Sequence, residues 1–138
     1  MGKRRKARET VLQALYESEF SNDAPTEVIE RQVRRRASGE DVAEYARALF
    51  LCTIDHESEL DDIIDHNLKN WDMERVALID KNILRFALAE VLYFPDVPSR
   101  VIINEAIEVA HRYSSEDAGR FVNGLLDHFV REYRKVVD

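Results

Sequence analysis

Apolar residues recur along this chain every three to four positions, and nowhere alternate convincingly with polar ones at period two. That spacing favours helices and argues against strands. Only 4 Gly and 3 Pro occur in 138 residues, and no hairpin dipeptide stands between apolar runs. A sandwich or barrel would need many more turn residues. The expected fold is therefore all-α, with six to seven helices. The length suits one domain, large enough to bury a core without disulfides or a structural metal.

The first helix is expected over Lys3 to Phe20, with Ala7, Val11, Ala14, Leu15 and Ser18 near one face. Ser21-Asn22-Asp23-Ala24-Pro25 reads as a turn. A weak second helix follows, from Thr26 to Ala37, anchored by Val28, Ile29 and Val33 and ended by Ser38-Gly39. A long third helix, Glu40 to Asn70 with room for one break, carries a stripe of Val42, Ala46, Leu49, Thr53, His56, Leu60, Ile63 and Asn67. Trp71 is expected to pin the junction between two small bundles, residues 1–70 and 71–138. The fourth helix, Glu74 to Tyr93, is apolar on several sides and so belongs in the centre. Phe94-Pro95-Asp96-Val97-Pro98 forms a stiff connector. A fifth helix runs from Pro98 or Ser99 to Tyr113. Ser114-Ser115-Glu116-Asp117 resembles a capping box for the last helix, which carries Phe121, Val122, Leu125, Leu126, Phe129 and Tyr133. Asn123-Gly124 in its middle suggests close approach of another helix.

Charge is distributed unevenly. The formal net charge is −7, yet Lys3, Arg4, Arg5, Lys6 and Arg8 give residues 1–8 a charge of +5 with no acid. A nucleic-acid binder needs a local basic patch rather than a basic whole. Lys and Arg neutralise phosphates and release their counterions, and Arg also stacks on bases. The alternative is a solubilising terminal cluster. Arg34-Arg35-Arg36 forms a second cluster at the end of the second helix, where the helix C-terminus itself favours cations; an auxiliary basic surface over Arg31 to Arg36 stays open.

Other chemistry finds little support. His56, His66, His111 and His128 are scattered and Cys52 is alone, so neither a zinc set nor an internal disulfide is expected. A lone cysteine fits a cytoplasmic protein. Acidic and basic side chains interrupt any apolar leader after the basic start, and no apolar run is long enough to span a membrane. Asp61-Asp62-Ile63-Ile64-Asp65 places Asp61 and Asp65 one turn apart, as in helical enzymes that hold Mg²⁺ against a diphosphate; a solvated acidic face is the competing reading. No phosphate loop or nucleophile motif is present.

Three segments together resemble the NusB family of bacterial transcription antitermination factors. They are Arg4-Arg5-Lys6-Ala7-Arg8-Glu9 with Val11 to Tyr16; Asp80 through Ile83-Leu84-Arg85-Phe86-Ala87 to Glu90; and Asp96-Val97-Pro98 with Val101 to Ala110, Asp117 and Phe121-Val122-Asn123-Gly124. The resemblance implies two small helical bundles without enzymatic activity or cofactor. It implies binding of boxA, a short single-stranded RNA element, together with NusE, a small-subunit ribosomal protein. It further implies assembly with RNA polymerase and other Nus factors to support ribosomal RNA transcription. By position, the resemblance gives RNA contacts to Lys3, Arg4, Arg5, Lys6, Arg8, Tyr16, Asp117 and Phe121, and a NusE-facing role to Glu74 and Asp80. Tyr16 and Phe121 read equally as core aromatics, and Asp117 as a helix cap. Three alternatives remain: the NusB-like domain of a ribosomal RNA methyltransferase, which requires the chain to be a fragment; a metal-dependent helical enzyme using Asp61 and Asp65; and a homodimer masking the RNA surface.

Overall fold

The computed structural model describes residues 2–36, 39–68 and 76–134, the side chains of residues 2 and 3 excepted. These residues form α1 (Gly2–Phe20), α2 (Pro25–Arg36), α3 (Glu40–Asp55), α4 (Glu57–Asn67), α5 (Leu78–Tyr93), α6 (Ser99–Tyr113) and α7 (Glu116–Tyr133). No strand occurs among them. Trp71, expected to join two bundles, lies outside the described residues.

A short turn over residues 21–24, braced by the Asp23 amide donating to Ser21 Oγ at 3.0 Å, folds α2 back along α1. The Glu17 carboxylate then receives Gln32 Nε2 at 2.7 Å and Arg31 Nε at 2.9 Å. On the other side α1 packs against α3. Helix α5 occupies the middle, as its all-round apolar surface predicts. Every residue from Asn82 to Val91 is buried, and α5 contacts α1, α3, α4, α6 and α7. One contiguous core results, from Ala7 to Phe129.

The long third helix does break, at His56. Its φ of −110° and ψ of 15° leave helical geometry, and its Nδ1 donates to the Cys52 carbonyl at 2.9 Å. The break resets the helical phase. Leu60, Ile64 and Leu68 turn inward, while Ile63 and Asn67, placed inward by an unbroken repeat, are half-exposed. Helix α5 begins at Leu78, later than the expected Glu74, with Ala77 extended at its N-cap.

Two further expectations are corrected. The cap of α7 is Ser115, whose Oγ accepts from the Ala118 amide at 3.0 Å. Asp117 therefore sits at the second helical position, one short of where a capping-box acid would stand. Gly124 has no atom within 4 Å of where a Cβ would be, so close packing does not explain it. Gly119 is the crowded glycine: a Cβ there would fall 2.2 Å from His111 Nε2, which is how the ends of α6 and α7 come together.

The connector between α5 and α6 is held by a residue from the far end of the chain. Arg134 donates to the carbonyls of Glu90, Val91 and Phe94 at 3.0, 3.0 and 2.9 Å, and to that of Val97. It thereby caps the C-terminus of α5, where unsatisfied carbonyls accumulate.

Candidate nucleic-acid interface

The basic residues at the start of α1 do not share one environment. Arg8 shares a face with Val11, Leu12 and Leu15, and that face is the core. It is 1% exposed, and its Nε and Nη2 grip the equally buried Glu90 of α5 at 2.9 and 2.7 Å. Burial disfavours the charged guanidinium, but the hydrogen bonds and charge of Glu90 outweigh it, and the Arg8 pKa stands above its usual value. The Tyr45 hydroxyl also donates to Glu90, at 2.5 Å. Burial and the Glu90 charge push that phenol's pKa up. Arg8 is thus a structural cation, buried and paired with Glu90 where its assignment to RNA expected an open one.

Arg5 is intermediate. Its side chain is 34% exposed and forms a two-point bond with buried Glu105 of α6, both contacts at 2.8 Å. Hydrogen bonding from Arg5 holds Glu105 below the usual carboxylate range despite its burial. Arg4 and Lys6 are exposed and make no ion pair among the described residues. Arg4 lies 4.5 Å from the centroid of the Tyr45 ring, held there by cation–π attraction. Together Arg4, Arg8, Tyr45 and Glu105 line a cleft of about 580 Å³ between α1, α3 and α6. The side chain of Lys3 lies outside the described residues.

Tyr16 is not a core residue. It is 46% exposed and packs against Phe20, itself 72% exposed, with ring centroids 5.1 Å apart. Leu12, Gln13, Tyr16, Ile79 and Tyr113 line a small groove beside it. Sequence reasoning missed Phe20; the signal was an aromatic one helical turn beyond Tyr16, on the same face. It also missed Arg112, which crosses from α6 to Glu9 of α1 at 2.9 Å while staying largely exposed. Asp117 is nearly fully exposed, 3.5 Å from Arg120 one turn along. Phe121 is half-buried against the core.

The acidic residues separate in the same way. Asp80, in the first turn of α5, keeps its Oδ1 buried and unbonded among the described residues. Glu74 lies outside them. Asp61, offered as half of a cation site, turns inward and receives Arg85 at 2.7 and 2.9 Å, while Asp65 stays exposed. That pairing takes up both Asp61 oxygens. No helix of the described residues is long and apolar enough to cross a membrane.

Open cations near the start of α1 and a pair of exposed aromatic rings near its end, on a frame of seven helices among the described residues, define an all-helical module with polar and aromatic surface suited to a flexible polyanion with flat rings. The chain belongs to the NusB family, whose model matches residues 5–131. A transcription antitermination protein NusB from Thermodesulfovibrio yellowstonii is 41% identical over 140 residues, covering 94% of this chain and 93% of that protein. The crystal structure of T. maritima NusB superposes with a TM-score of 0.85 at 35% identity, covering 94% of this chain and 92% of that one. A crystal structure of antitermination factors NusB and NusE in complex with dsRNA contains a chain with a TM-score of 0.85 and 28% identity, covering 96% of this chain and 99% of that one.

Proposed function

We propose that this protein is a transcription antitermination factor that binds boxA RNA jointly with NusE and brings it to RNA polymerase during ribosomal RNA synthesis. The observation that carries this reading is the pairing, on a NusB-family fold, of open cations Arg4 and Lys6 with the exposed Tyr16–Phe20 rings along one helix. Lys3, Arg4 and Lys6 meet phosphates. Arg5 contributes from its exposed edge. Tyr16 and Phe20 offer stacking faces to unstacked bases, which a single strand presents and a duplex hides. Asp117 and Phe121 border the same strand from α7. Glu74 and Asp80 face the basic surface of NusE, where opposite charge favours docking. The relative solved with dsRNA motivates a duplex control. No observation on this chain favours the methyltransferase-attached module.

The test measures affinity for boxA, a scrambled strand and a duplex, each with and without NusE. The expected order is boxA over scrambled over duplex, with NusE tightening the first. Replacing Tyr16 and Phe20 by Ala should cost about 1–3 kcal/mol for each base that loses its stack. Equal binding of all three RNAs, with NusE present, would overturn the reading.

A further inference from the structure

Apart from Arg134, which holds the α5–α6 connector, the described cations fall into two groups. Arg5, Arg8, Arg31, Arg47, Arg85, Arg112, Arg120 and Arg131 all pair with carboxylates. Arg4, Lys6, Arg34, Arg35, Arg36, Lys81 and Arg100 make no ion pair among the described residues. Three of these seven end α2, which runs antiparallel to α1, so that its last turn lies alongside the middle of α1, near residues 13–16.

The register can be traced. Gln32 and Arg31 meet Glu17. On α1, Lys6 and Gln13 fall on the same stripe as Glu17, within about 40° at 100° per residue. On α2, Arg35 follows Arg31 and Gln32 by four and three residues, on the flank that faces α1. Arg35 is near enough to help Gln32 and Arg31 hold Glu17 below the usual carboxylate range. At 1.5 Å per residue, Arg35 and Lys6 are about 12 Å apart along the shared axis, a gap that two long side chains narrow. Arg36 continues one turn beyond Gln32 and is tied to it only by a neutral hydrogen bond of 3.1 Å. Arg34 points the other way, beside Thr26, Glu27 and Glu30.

We infer that Arg35 and Arg36 of α2 form a second phosphate-binding stretch, which extends the path of single-stranded RNA from Lys6 across α1. The inference rests on the RNA-binding reading above and adds a surface to it. Their place at a helix C-terminus favours cations, but it does not require them to stay exposed and without an ion pair among the described residues, as they are. Arg31 takes no part because Glu17 and Asp23 already hold it.

The experiment compares boxA affinity over a range of salt for the full chain, Arg35→Ala/Arg36→Ala, Arg34→Ala and Arg4→Ala/Lys6→Ala, with NusE present. Each single-strand phosphate contact adds about −0.7 to the log–log salt slope. The double change in α2 should therefore flatten the slope by about 1.4, and weaken binding at 0.1 M salt by about 25-fold on counterion release alone. Arg34→Ala should leave both unchanged. Arg35→Gln/Arg36→Gln keeps long polar side chains and should behave as the Ala pair does, with helical content by circular dichroism as the folding check. If the α1 variant loses RNA while the α2 variants do not, this inference fails and the functional reading stands. It fails equally if Arg34→Ala has the same effect as the double change, or if the α2 variants lose NusE and keep RNA. If the unaltered chain with NusE binds no RNA, both readings fall.

Discussion

The head of α1 and the foot of α2 are both runs of basic residues, and the fold uses them differently. On α1, Arg8 is enclosed with Glu90, Arg5 is clasped by Glu105, and among the described side chains Arg4 and Lys6 remain open. On α2, Arg34, Arg35 and Arg36 all reach solvent with no carboxylate attached. The difference follows from position in the bundle. α1 is sandwiched between α2, α3, α5 and α6, so most of its surface faces acids or apolar side chains from elsewhere. The last turn of α2 buries Val33 but leaves its three arginines exposed and in no ion pair among the described residues. A basic run is therefore a poor guide to phosphate contacts until the partners of each cation are known.

The largest expected effect tests whether Arg8 is structural. Arg8→Ala leaves Glu90 buried without its ion pair, and should destabilise by about 3–5 kcal/mol, read as a fall in the urea midpoint. Arg8→Met with Glu90→Leu removes both charges and should recover most of that loss. A loss under about 1 kcal/mol for Arg8→Ala would place Arg8 with the open cations and erase the contrast.

Arg5→Ala should cost less, about 1 kcal/mol at pH 7, because Arg5 is partly solvated and screened. Its pH dependence sharpens the comparison. Glu105 is depressed in the folded state, so its contribution is fully present above the unfolded glutamate value of about 4.3. It is lost as pH falls through the folded value. The urea midpoints of the full chain and Arg5→Ala should therefore converge in acid, below pH of about 4. A constant gap across that range would show that Arg5 acts through packing alone.

Arg4→Ala/Lys6→Ala and Arg35→Ala/Arg36→Ala should have the smallest effect on stability, within about 0.5 kcal/mol, while RNA affinity falls. A matching drop in the thermal midpoint would mean these side chains hold the fold together.

Much of the fold was readable from local pattern. The all-round apolar surface of residues 82–91 placed α5 at the centre, and Pro95 and Pro98 marked the connector before α6. The break at His56 was readable only as a possibility, since no Gly or Pro marks it in the sequence. The candidate site was partly readable. Arg4, Lys6 and Tyr16 stand exposed, and Asp117 does as well, though one step away from the expected cap. Phe20 escaped notice because an aromatic at a helix end reads equally as core. Arg134 escaped because its acceptors lie about forty residues earlier in the chain.

By itself the sequence determined the helices, their approximate limits and which helix is central, because each depends on contacts spanning three or four residues. Only the tertiary structure decided which cations are free. Whether a guanidinium meets water or a carboxylate depends on partners such as Glu90 and Glu105, 82 and 100 positions away. Local periodicity has no reach over such distances, and the energy of a charge is set by what surrounds it in space.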